Sequence, residues 1–353
     1  MSGAAPVENG LHPFSDRKFD VVCLGILVAD LSARPVGEYR IAPAQAGEEE
    51  IVVLGARRGG LAHCDGMQLS IGGCAANTGI GLQKLDVRTA IIGKVGRDLI
   101  GHYVRGELKG RRVHMRGVVI DPDVDTSATM VMIAADGERS FIHYPGANAT
   151  FNVDDINWDL IQNAGLLHVA GHFLMPQFDG APCAAVLKRA REMGLKTSLD
   201  TAGDQSKMTM EVLRPALPYV DYFVPSYAEA RRCIESYGTG RDTTEEVARI
   251  FLDEGVSVVA LKMGEEGSYI RTREGEWRIP AFPVDAVDAT GAGDAFAAGF
   301  LAGVVRGFDL ETTGTLASAV GACCVTEVGT VQGVRSLEET LAFIEERTVS
   351  SRK

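Results

Sequence analysis

A glycine-rich turn that leads into a long apolar run combines the residue types and spacing best suited to chemistry. The turn begins at Asp288 and reads Asp-Ala-Thr-Gly-Ala-Gly-Asp, ending at Asp294. Small residues at Gly291, Ala292 and Gly293 let successive backbone N–H groups point at one spot, which predicts a site for a phosphoryl group. Because a carboxylate is unfavourable beside a bound phosphate, we interpret Asp294 as a general base that takes a proton from an attacking hydroxyl. The alternative is an ordinary glycine-rich turn whose aspartate caps the following helix.

Composition and charge limit the classes of function. The chain has 353 residues and a formal net charge of −12, from 35 Lys and Arg against 47 Asp and Glu. It has no basic stripe of the kind that binds nucleic acid or an anionic membrane, so we expect small neutral substrates, or anions neutralised by a metal. The seven cysteines form no C-x-x-C pair and predict reduced thiols, and residues 1–17 lack the apolar core of a secretory signal. The uncharged, apolar stretch 312–326 has 15 residues and is too short to span a bilayer, which predicts a cytoplasmic protein.

Several motifs of other enzyme classes are absent from the sequence. The phosphate-binding pattern G-x-x-x-x-G-K-[ST] does not occur, because Gly93-Lys94 lacks both the upstream glycine and the following hydroxyl. Gly79 and Gly81 fall inside a predicted helix and not at its start, which disfavours a dinucleotide-binding fingerprint and hence a dehydrogenase. G-x-S-x-G and H-E-x-x-H are also missing, so a serine hydrolase and a zinc peptidase have no support.

Short apolar runs alternate with amphipathic segments of helix length along most of the chain. The runs predicted as buried strands are 19–25, 89–93, 166–171, 196–200, 221–225 and 257–262. The segments predicted as helices are 75–85, 99–109, 181–193, 227–237, 243–253, 292–305, 314–325 and 337–347. This alternation predicts an α/β fold with a central, mainly parallel sheet and helices on both faces.

Two segments break the alternation and predict a small β-rich lid over the mouth of the sheet. Residues 32–70 are polar, with a short alternating run at 50–54. Residues 113–145 alternate apolar and polar side chains around Asp136-Gly137, which is a strong hairpin signal. The segment 283–287, just before the glycine-rich turn, is interpreted as a further strand. We expect the fold to occupy residues 18–348, after a loose leader at 1–17.

Two signatures resemble those of the ribokinase (PfkB) carbohydrate kinase family. The Gly-Ala-Gly-Asp segment that ends at Asp294, with Asp288 six residues before it, resembles the C-terminal signature. The N-terminal signature is matched by Gly-Gly-Cys-Ala-Ala-Asn-Thr-Gly from Gly72 and by Gly-Lys-Val-Gly-Arg-Asp-x-x-Gly from Gly93. The two stand in the family's order, and the resemblance extends over 19–344. It implies a ribokinase-like fold and an ATP-dependent sugar kinase.

The resemblance implies positions for the catalytic and nucleotide-binding groups. It makes Asp294 the catalytic base and puts the anion hole for the transferring phosphoryl group at Gly291, Ala292 and Gly293. The residues implied to lie along ATP are Ser226, Glu229, Lys262, Gly264 and Gly267. Glu229 is implied to organise Mg²⁺ through water, although Ser226 departs from the family, which has asparagine there. A monovalent cation such as K⁺ is implied near the anion hole, at Asp288, Thr290 and Gly329.

Substrate contacts are implied near the N-terminal signature. Asp30, just after the first predicted strand, resembles the aspartate that binds substrate hydroxyls, since a carboxylate accepts from two neighbouring hydroxyls at once. Gly72 and Gly73 are implied to let the backbone approach the substrate, and Asn77 offers an amide that both donates and accepts. From the residues alone, Asp30 could instead be an exposed loop residue and Asn77 a helix cap.

Two departures from ribokinase bear on the substrate. Val28 stands where ribokinase has asparagine, and Cys74 stands where it has lysine. The missing lysine disfavours phosphorylated sugars and predicts a small neutral sugar, phosphorylated at a primary hydroxyl. The segment around Asp30 resembles adenosine kinases about as well, which leaves a nucleoside kinase as one alternative and a non-catalytic sugar-binding sensor on the same fold as another. A homodimer through the lid is also implied, because such a small sheet has free edges and too small a face to hold its own core.

Overall fold

A sheet of nine strands forms the centre of the part of the chain that the structure describes. The computed structural model describes residues 14, 16–35, 40–41, 52–53, 63–133, 139–203, 208–235 and 243–350. The strands, in chain order, are β1 (Phe19–Gly25), β2 (Val28–Pro35), β3 (Arg40–Ile41), β4 (Val52–Val53), β5 (Cys64–Gly72), β6 (Thr89–Gly96), β7 (His114–Asp121), β8 (Ala128–Ile133), β9 (Arg139–Tyr144), β10 (Ala164–His172), β11 (Lys196–Thr201), β12 (Tyr222–Phe223), β13 (Val258–Lys262), β14 (Ser268–Arg271) and β15 (Glu276–Ile279). The main sheet has the order β15-β14-β13-β12-β11-β10-β1-β6-β7. It is parallel from β13 to β7, which confirms the predicted sheet, and β14 and β15 extend it as an antiparallel hairpin that the sequence patterns do not predict.

Helices cover both faces of this sheet. They are α1 (Cys74–Lys84), α2 (Leu99–Gly110), α3 (Gly146–Ala149), α4 (Trp158–Ile161), α5 (Ala181–Glu192), α6 (Met210–Leu213), α7 (Tyr227–Ile234), α8 (Thr244–Asp253), α9 (Ala292–Val305), α10 (Leu310–Cys324) and α11 (Leu337–Ser350). Successive residues of β1 belong to the hydrophobic cores on opposite faces of the sheet. Val22 and Leu24 pack with α5, α7 and α8 on one face, and Val21 and Cys23 pack with α1, α9 and α10 on the other. All of β1 is therefore buried, as expected for a parallel strand covered on both sides.

A second sheet of four strands, in the order β5-β2-β8-β9, forms the lid. Its strand β2 continues directly from β1 through Leu27, whose backbone N–H and C=O both bond to the buried side chain of Asn148, at 3.2 and 3.0 Å. Cross-strand pairing places Asp30 between Ser70 and Thr129 on one face of the lid. Because side chains alternate along a strand, the neighbouring residues lie on the opposite face. That face, called the outer lid face below, exposes Met67, Leu69, Met130, Ile142 and Tyr144.

The predicted lid boundaries need correction. The lid strand β2 begins at Val28, and residues 114–121 form β7 of the main sheet and are not part of the lid. The alternating pattern of β7 arises because it is the edge strand, with partly exposed side chains. Strands β8 and β9 pair antiparallel as a hairpin requires, while Asp136-Gly137 lies outside the described residues. Of the run at 50–54, only Val52–Val53 is described, and it pairs with β3.

Two further segments differ from their predictions. Residues 283–287 form no strand: the segment crosses the end of α10, where the Val287 N–H donates to the Val325 carbonyl at 2.8 Å. Pro280 and Pro283 lack the N–H that a strand would use, which explains why this segment does not join the sheet. The predicted leader is described only at residues 14, 16 and 17, and its Phe14 packs against Gly165 of β10. Within the described residues, no helix combines the length and apolar character needed to cross a membrane.

Candidate active site

Most of the residues singled out from the sequence meet where the parallel strands of the main sheet end. A cavity of about 370 Å³ lies at this edge, which is the usual place for ligands in sheets of this kind. Predicted residues among its lining are Ser226, Glu229, Lys262, Gly264, Gly291, Gly293 and Asp294. The lining also includes Cys74, Asp200, Thr201 and Ala202. The predicted substrate residues lie beside this cavity, on α1 and on the lid strands.

The N-terminus of α9 is shaped by glycine. Gly291 has φ +79°, and a Cβ built there would lie 2.3 Å from the carbonyl oxygen of Thr330, so no other residue fits this turn without strain. The helix starts at Ala292, and the first-turn amides of Gly293 and Asp294 have no acceptor within the helix. The Asp288 carboxylate fixes the turn, because it accepts from the backbone N–H of Thr290 at 2.8 Å and of Gly329 at 2.9 Å. The arrangement can bind an anion at the start of α9.

Asp294 lies in the first turn of α9 and faces α1. Its Oδ2 accepts a hydrogen bond of 2.8 Å from the Asn77 amide, and the Cys74 thiol also hydrogen-bonds to it. Burial raises the pKa of Asp294, while the Asn77 hydrogen bond and the charge of Lys262 oppose that rise. Within the described part of the chain, the buried Oδ1 of Asn77 has no hydrogen-bond partner. This leaves an acceptor beside Asp294 for a ligand hydroxyl.

Asp30 stands on the lid face that turns towards α1. A Cβ built on Gly72 would lie 2.0 Å from Asp30 Oδ2, so the absence of a side chain at Gly72 makes room for the carboxylate. Gly73, with φ +92°, passes close to the Ile26 carbonyl and begins the turn into α1. Burial raises the pKa of Asp30 to about 6, a hydrogen bond from Thr129 opposes this, and the charge of Asp294 adds to it. The two carboxylates are thus close enough to influence each other.

Glu229 is held at the N-terminus of α7. Its Oε2 accepts from the Ser226 N–H at 3.0 Å, from the Ser226 hydroxyl at 2.8 Å and from the Thr201 hydroxyl at 3.1 Å. Ser226 therefore takes part in a capping box, in which the serine also accepts from the Glu229 N–H. Gly264 and Gly267 form the turn after β13, both with positive φ, and a Cβ on Gly267 would lie 2.0 Å from the Ile279 carbonyl oxygen.

One central residue escapes sequence analysis. Asp200, the buried carboxylate near the end of β11, lies 2.7 and 2.9 Å through its two oxygens from the ammonium of Lys262. Burial raises the pKa of Asp200 to about 7, and Lys262 opposes the rise. The available signal was an aspartate at the end of a run predicted as a parallel strand, where ligand-binding side chains commonly lie. Its partner follows 62 residues later, and no spacing rule links them.

The acidic side chains at this edge do not form a closed metal site. Among the described residues, no cluster of three or more His, Cys, Asp and Glu side chains is arranged to hold a metal ion. Mg²⁺ at kinase sites needs less, since it is bound through one or two carboxylates, water and the substrate phosphates. Glu229 fits that requirement, because it lines the same cavity as Gly291 and Gly293 at the start of α9.

Comparison with known proteins decides the family. Residues 19–336 match the family model of the pfkB family carbohydrate kinase. The chain belongs to this family. Its members are phosphotransferases that act on sugars, so this pfkB protein is a carbohydrate kinase, and the predicted family, enzyme class and ribokinase-like fold are confirmed.

Individual relatives of this pfkB kinase agree with that assignment. It is 32% identical to the ATP-dependent ribose-1-phosphate kinase of Halopiger xanaduensis, over 78% of this chain and 87% of that one. It is 28% identical to the fructokinase of Solanum tuberosum, over 80% and 89% of the two chains. The solved structure of Arabidopsis thaliana ribokinase with ribose and ATP superimposes with a TM-score of 0.77 at 24% identity, covering 93% of this chain and 99% of that one. This likeness concerns the fold.

Proposed function

We propose that the protein is an ATP- and Mg²⁺-dependent kinase that transfers the γ-phosphoryl group to a primary hydroxyl of a small neutral sugar. The observation that carries this is Asp294, a carboxylate in the first turn of α9 beside an anion-binding glycine turn and held at 2.8 Å by Asn77. A carboxylate is unfavourable at an anion site unless it takes part in the reaction, and its raised pKa brings it nearer to that of an efficient base. Asp30 binds the sugar by accepting hydrogen bonds from two neighbouring hydroxyls.

The proposed reaction needs one base and one anion site. Asp294 takes the proton of the sugar hydroxyl while the hydroxyl oxygen forms a bond to the γ-phosphorus. The bond between that phosphorus and the β–γ bridging oxygen breaks, and ADP leaves with the bond electrons. The amides of Gly291, Ala292 and Gly293 donate to the oxygens of the transferring group, where charge is spread in the transition state. The Ala292 N–H, which donates to the Ala289 carbonyl at 3.3 Å, would share its hydrogen between the two acceptors. No other proton acceptor is required.

The nucleotide would occupy the cavity at the ends of β11 and β13. Ser226, Glu229, Lys262, Gly264 and Gly267 adjoin it or form its turns, which supports their proposed positions along ATP. When bound, Mg²⁺ neutralises phosphate charge, and Glu229 would hold it through water. A K⁺ ion near Asp288, Thr290 and Gly329 remains part of the proposal, since these residues join the two loops behind the anion site.

The choice of a neutral sugar depends on the charges around the site. Among the described residues that line the cavity, Lys262 is the only cation, and Asp200 already pairs with it. At the position of the ribokinase lysine, Cys74 lines the cavity without a charge. A sugar phosphate would need a further cation. The name of the relative from Halopiger xanaduensis nevertheless makes ribose 1-phosphate the specific rival to test.

A coupled assay of ADP release tests the proposal directly. Pentoses, hexoses, nucleosides and sugar phosphates, including ribose 1-phosphate and fructose 6-phosphate, are compared by kcat/KM. We expect the highest value for a neutral sugar. A higher value for a nucleoside would favour the nucleoside kinase, and a higher value for a sugar phosphate would contradict the prediction on charge. A protein that binds a sugar tightly but releases no ADP with any compound would be a sensor, against this proposal.

A further inference from the structure

The buried ion pair of Lys262 and Asp200 stands beside the anion site. The Lys262 ammonium lies 2.7 Å from one oxygen of Asp200 and 2.9 Å from the other, and the two side chains are 13% and 3% exposed. The lysine is the last residue of β13, and its backbone N–H donates to the Pro225 carbonyl at 3.0 Å. Both the backbone and the side chain of Lys262 are therefore fixed.

Stability alone is a weak explanation for this pair. The free energy needed to remove two charges from water is about as large as the free energy gained from their attraction. Apolar residues of similar size therefore often stabilise a fold equally well. The negative charges near Lys262 also outnumber its single positive charge, because the carboxylates of Glu229 and Asp294 interact with it in addition to Asp200. Burial alone would lower the pKa of Lys262, but these three carboxylates outweigh it and raise the pKa. The site thus keeps a charged ammonium among several carboxylates.

The glycine of the anion site leaves space for this ammonium. A Cβ built on Gly293 would lie 3.3 Å from Lys262 Nζ, so the ammonium reaches the backbone of the first turn of α9. Gly293 donates one of the amides proposed to bind the transferring phosphoryl group. A phosphoryl oxygen bound by that amide would come within reach of Lys262, which has three N–H donors, one more than its two contacts with the oxygens of Asp200 use.

We propose that Lys262 is a catalytic residue that neutralises charge on the transferring phosphoryl group, and that Asp200 is the positioning residue that aims it. This inference rests on the proposed kinase function and deepens it. The bonds made and broken remain those of the transfer to the sugar hydroxyl, and Lys262 neither gains nor loses a proton. A fixed cation of this kind stabilises the transition state more than the bound substrates, so it acts on kcat more than on KM.

The first test is the variant Lys262→Met, which keeps the length of the side chain and removes its charge. We expect kcat to fall about 10²–10³-fold, as for the loss of one group that stabilises a developing anion. The dissociation constant of ADP should change by less than about three-fold. A second readout is the affinity for ADP with aluminium fluoride in the presence of the sugar, measured by calorimetry, because this complex resembles the phosphoryl group in transfer. Its affinity should fall by a factor close to that of kcat.

Lys94→Met is the matched control. Lys94 forms a similar pair with Asp121 and Asp155, at 3.1 and 3.2 Å, with side chains about as buried, but away from the cavity. This variant should lower the melting temperature without the large fall in kcat of the folded enzyme. Asp200→Asn should lower kcat about ten-fold, and adding it to Lys262→Met should cause no further loss, because both act through one group. An equal additional loss in the double variant would overturn the positioning role.

The double variant also protects the test against misfolding. If Lys262→Met alone leaves Asp200 unpaired and fails to fold, Asp200→Asn/Lys262→Met removes both charges and is measured in its place. A folded variant that keeps kcat and the affinity for the aluminium fluoride complex within three-fold of the parent would overturn the inference. The parent is assayed first: a parent without turnover refutes the proposed kinase, whereas an active parent with an equally active Lys262→Met refutes only the role of Lys262.

Discussion

At the scale of single residues, the two carboxylates Asp30 and Asp294 have different proposed roles. In the proposed reaction Asp30 holds hydroxyls in the bound substrate and in the transition state alike, so its loss should act mainly on KM. Two hydrogen bonds to a charged acceptor are lost in Asp30→Ala, at about 1.5–3 kcal/mol each, and we expect KM for the sugar to rise at least about 10²-fold. Steady-state kinetics measure this. Asp65→Ala, at an exposed carboxylate on the same lid, should leave KM unchanged.

The raised pKa of Asp30 gives a second prediction, on pH. Its carboxylate accepts hydroxyls only when ionised, and burial raises its pKa to about 6. The part of kcat/KM that depends on ionised Asp30 should therefore be lost as the pH drops through about 6. In Asp30→Asn this contribution should disappear, leaving only the falls that belong to Asp200 and Asp294. A profile of the parent that stays flat from pH 8 to pH 5 would show that ionised Asp30 is not required.

Single residues also show how far the sequence can predict the site. Asp294 and Asn77 belong to continuous signatures, so their types and neighbours predict a role before any contact is known. Asp200 has no such context, because its proposed role depends on its contact with Lys262. The two residues are 62 positions apart in the chain, and the fold brings the ammonium to 2.7 Å from the carboxylate. The capping box of Ser226 and Glu229 likewise explains how a serine fits where the family has asparagine.

At the scale of elements, the glycine turn before α9 is the feature on which the proposed catalysis depends most. Gly291→Ala would put a Cβ 2.3 Å from the Thr330 carbonyl oxygen at φ +79°, which we expect to cost about 1–3 kcal/mol of stability. It would also displace the anion site, and a shift of about 1 Å can cost about 10²-fold in kcat. Thermal unfolding and kcat are measured together. Gly106→Ala, in α2 with open space around its Cβ, should leave kcat unchanged and stability equal or slightly higher.

Elements differ in how well local sequence predicts them. The helices and parallel strands of the core follow their hydrophobic periods, and α2 and α9 match their predicted bounds within a residue. The sequence pattern places the edge strand β7 in the lid, because alternating, half-exposed side chains are typical of an edge strand in either sheet. Residues 283–287 are apolar enough for a strand, but Pro280 before them, Pro283 and their contact with the end of α10 keep them out of the sheet. Such outcomes depend on neighbours distant in sequence.

At the scale of the whole molecule, the outer lid face predicts self-association. It exposes Met67 at 62% and Ile142 at 55%, beside Leu69, Met130 and Tyr144. A second copy of the lid would cover these apolar side chains, and we propose a homodimer formed in this way. Light scattering at tens of micromolar should give the mass of a dimer for the parent and of a monomer for Ile142→Lys. Leu341→Lys, at an exposed apolar residue of α11, should remain dimeric. A monomeric parent with full activity would contradict the proposal.

The most direct test of the whole account is the kcat of Asp294→Asn compared with the parent, with the best neutral sugar from the screen. Asparagine keeps the size of the side chain and the turn of α9 but removes the base. The account predicts that kcat falls about 10²–10⁴-fold, while the dissociation constants of ATP and of the sugar, measured by calorimetry, change by less than about three-fold. A kcat of Asp294→Asn within a few-fold of the parent value would contradict the claim that this carboxylate carries the transfer.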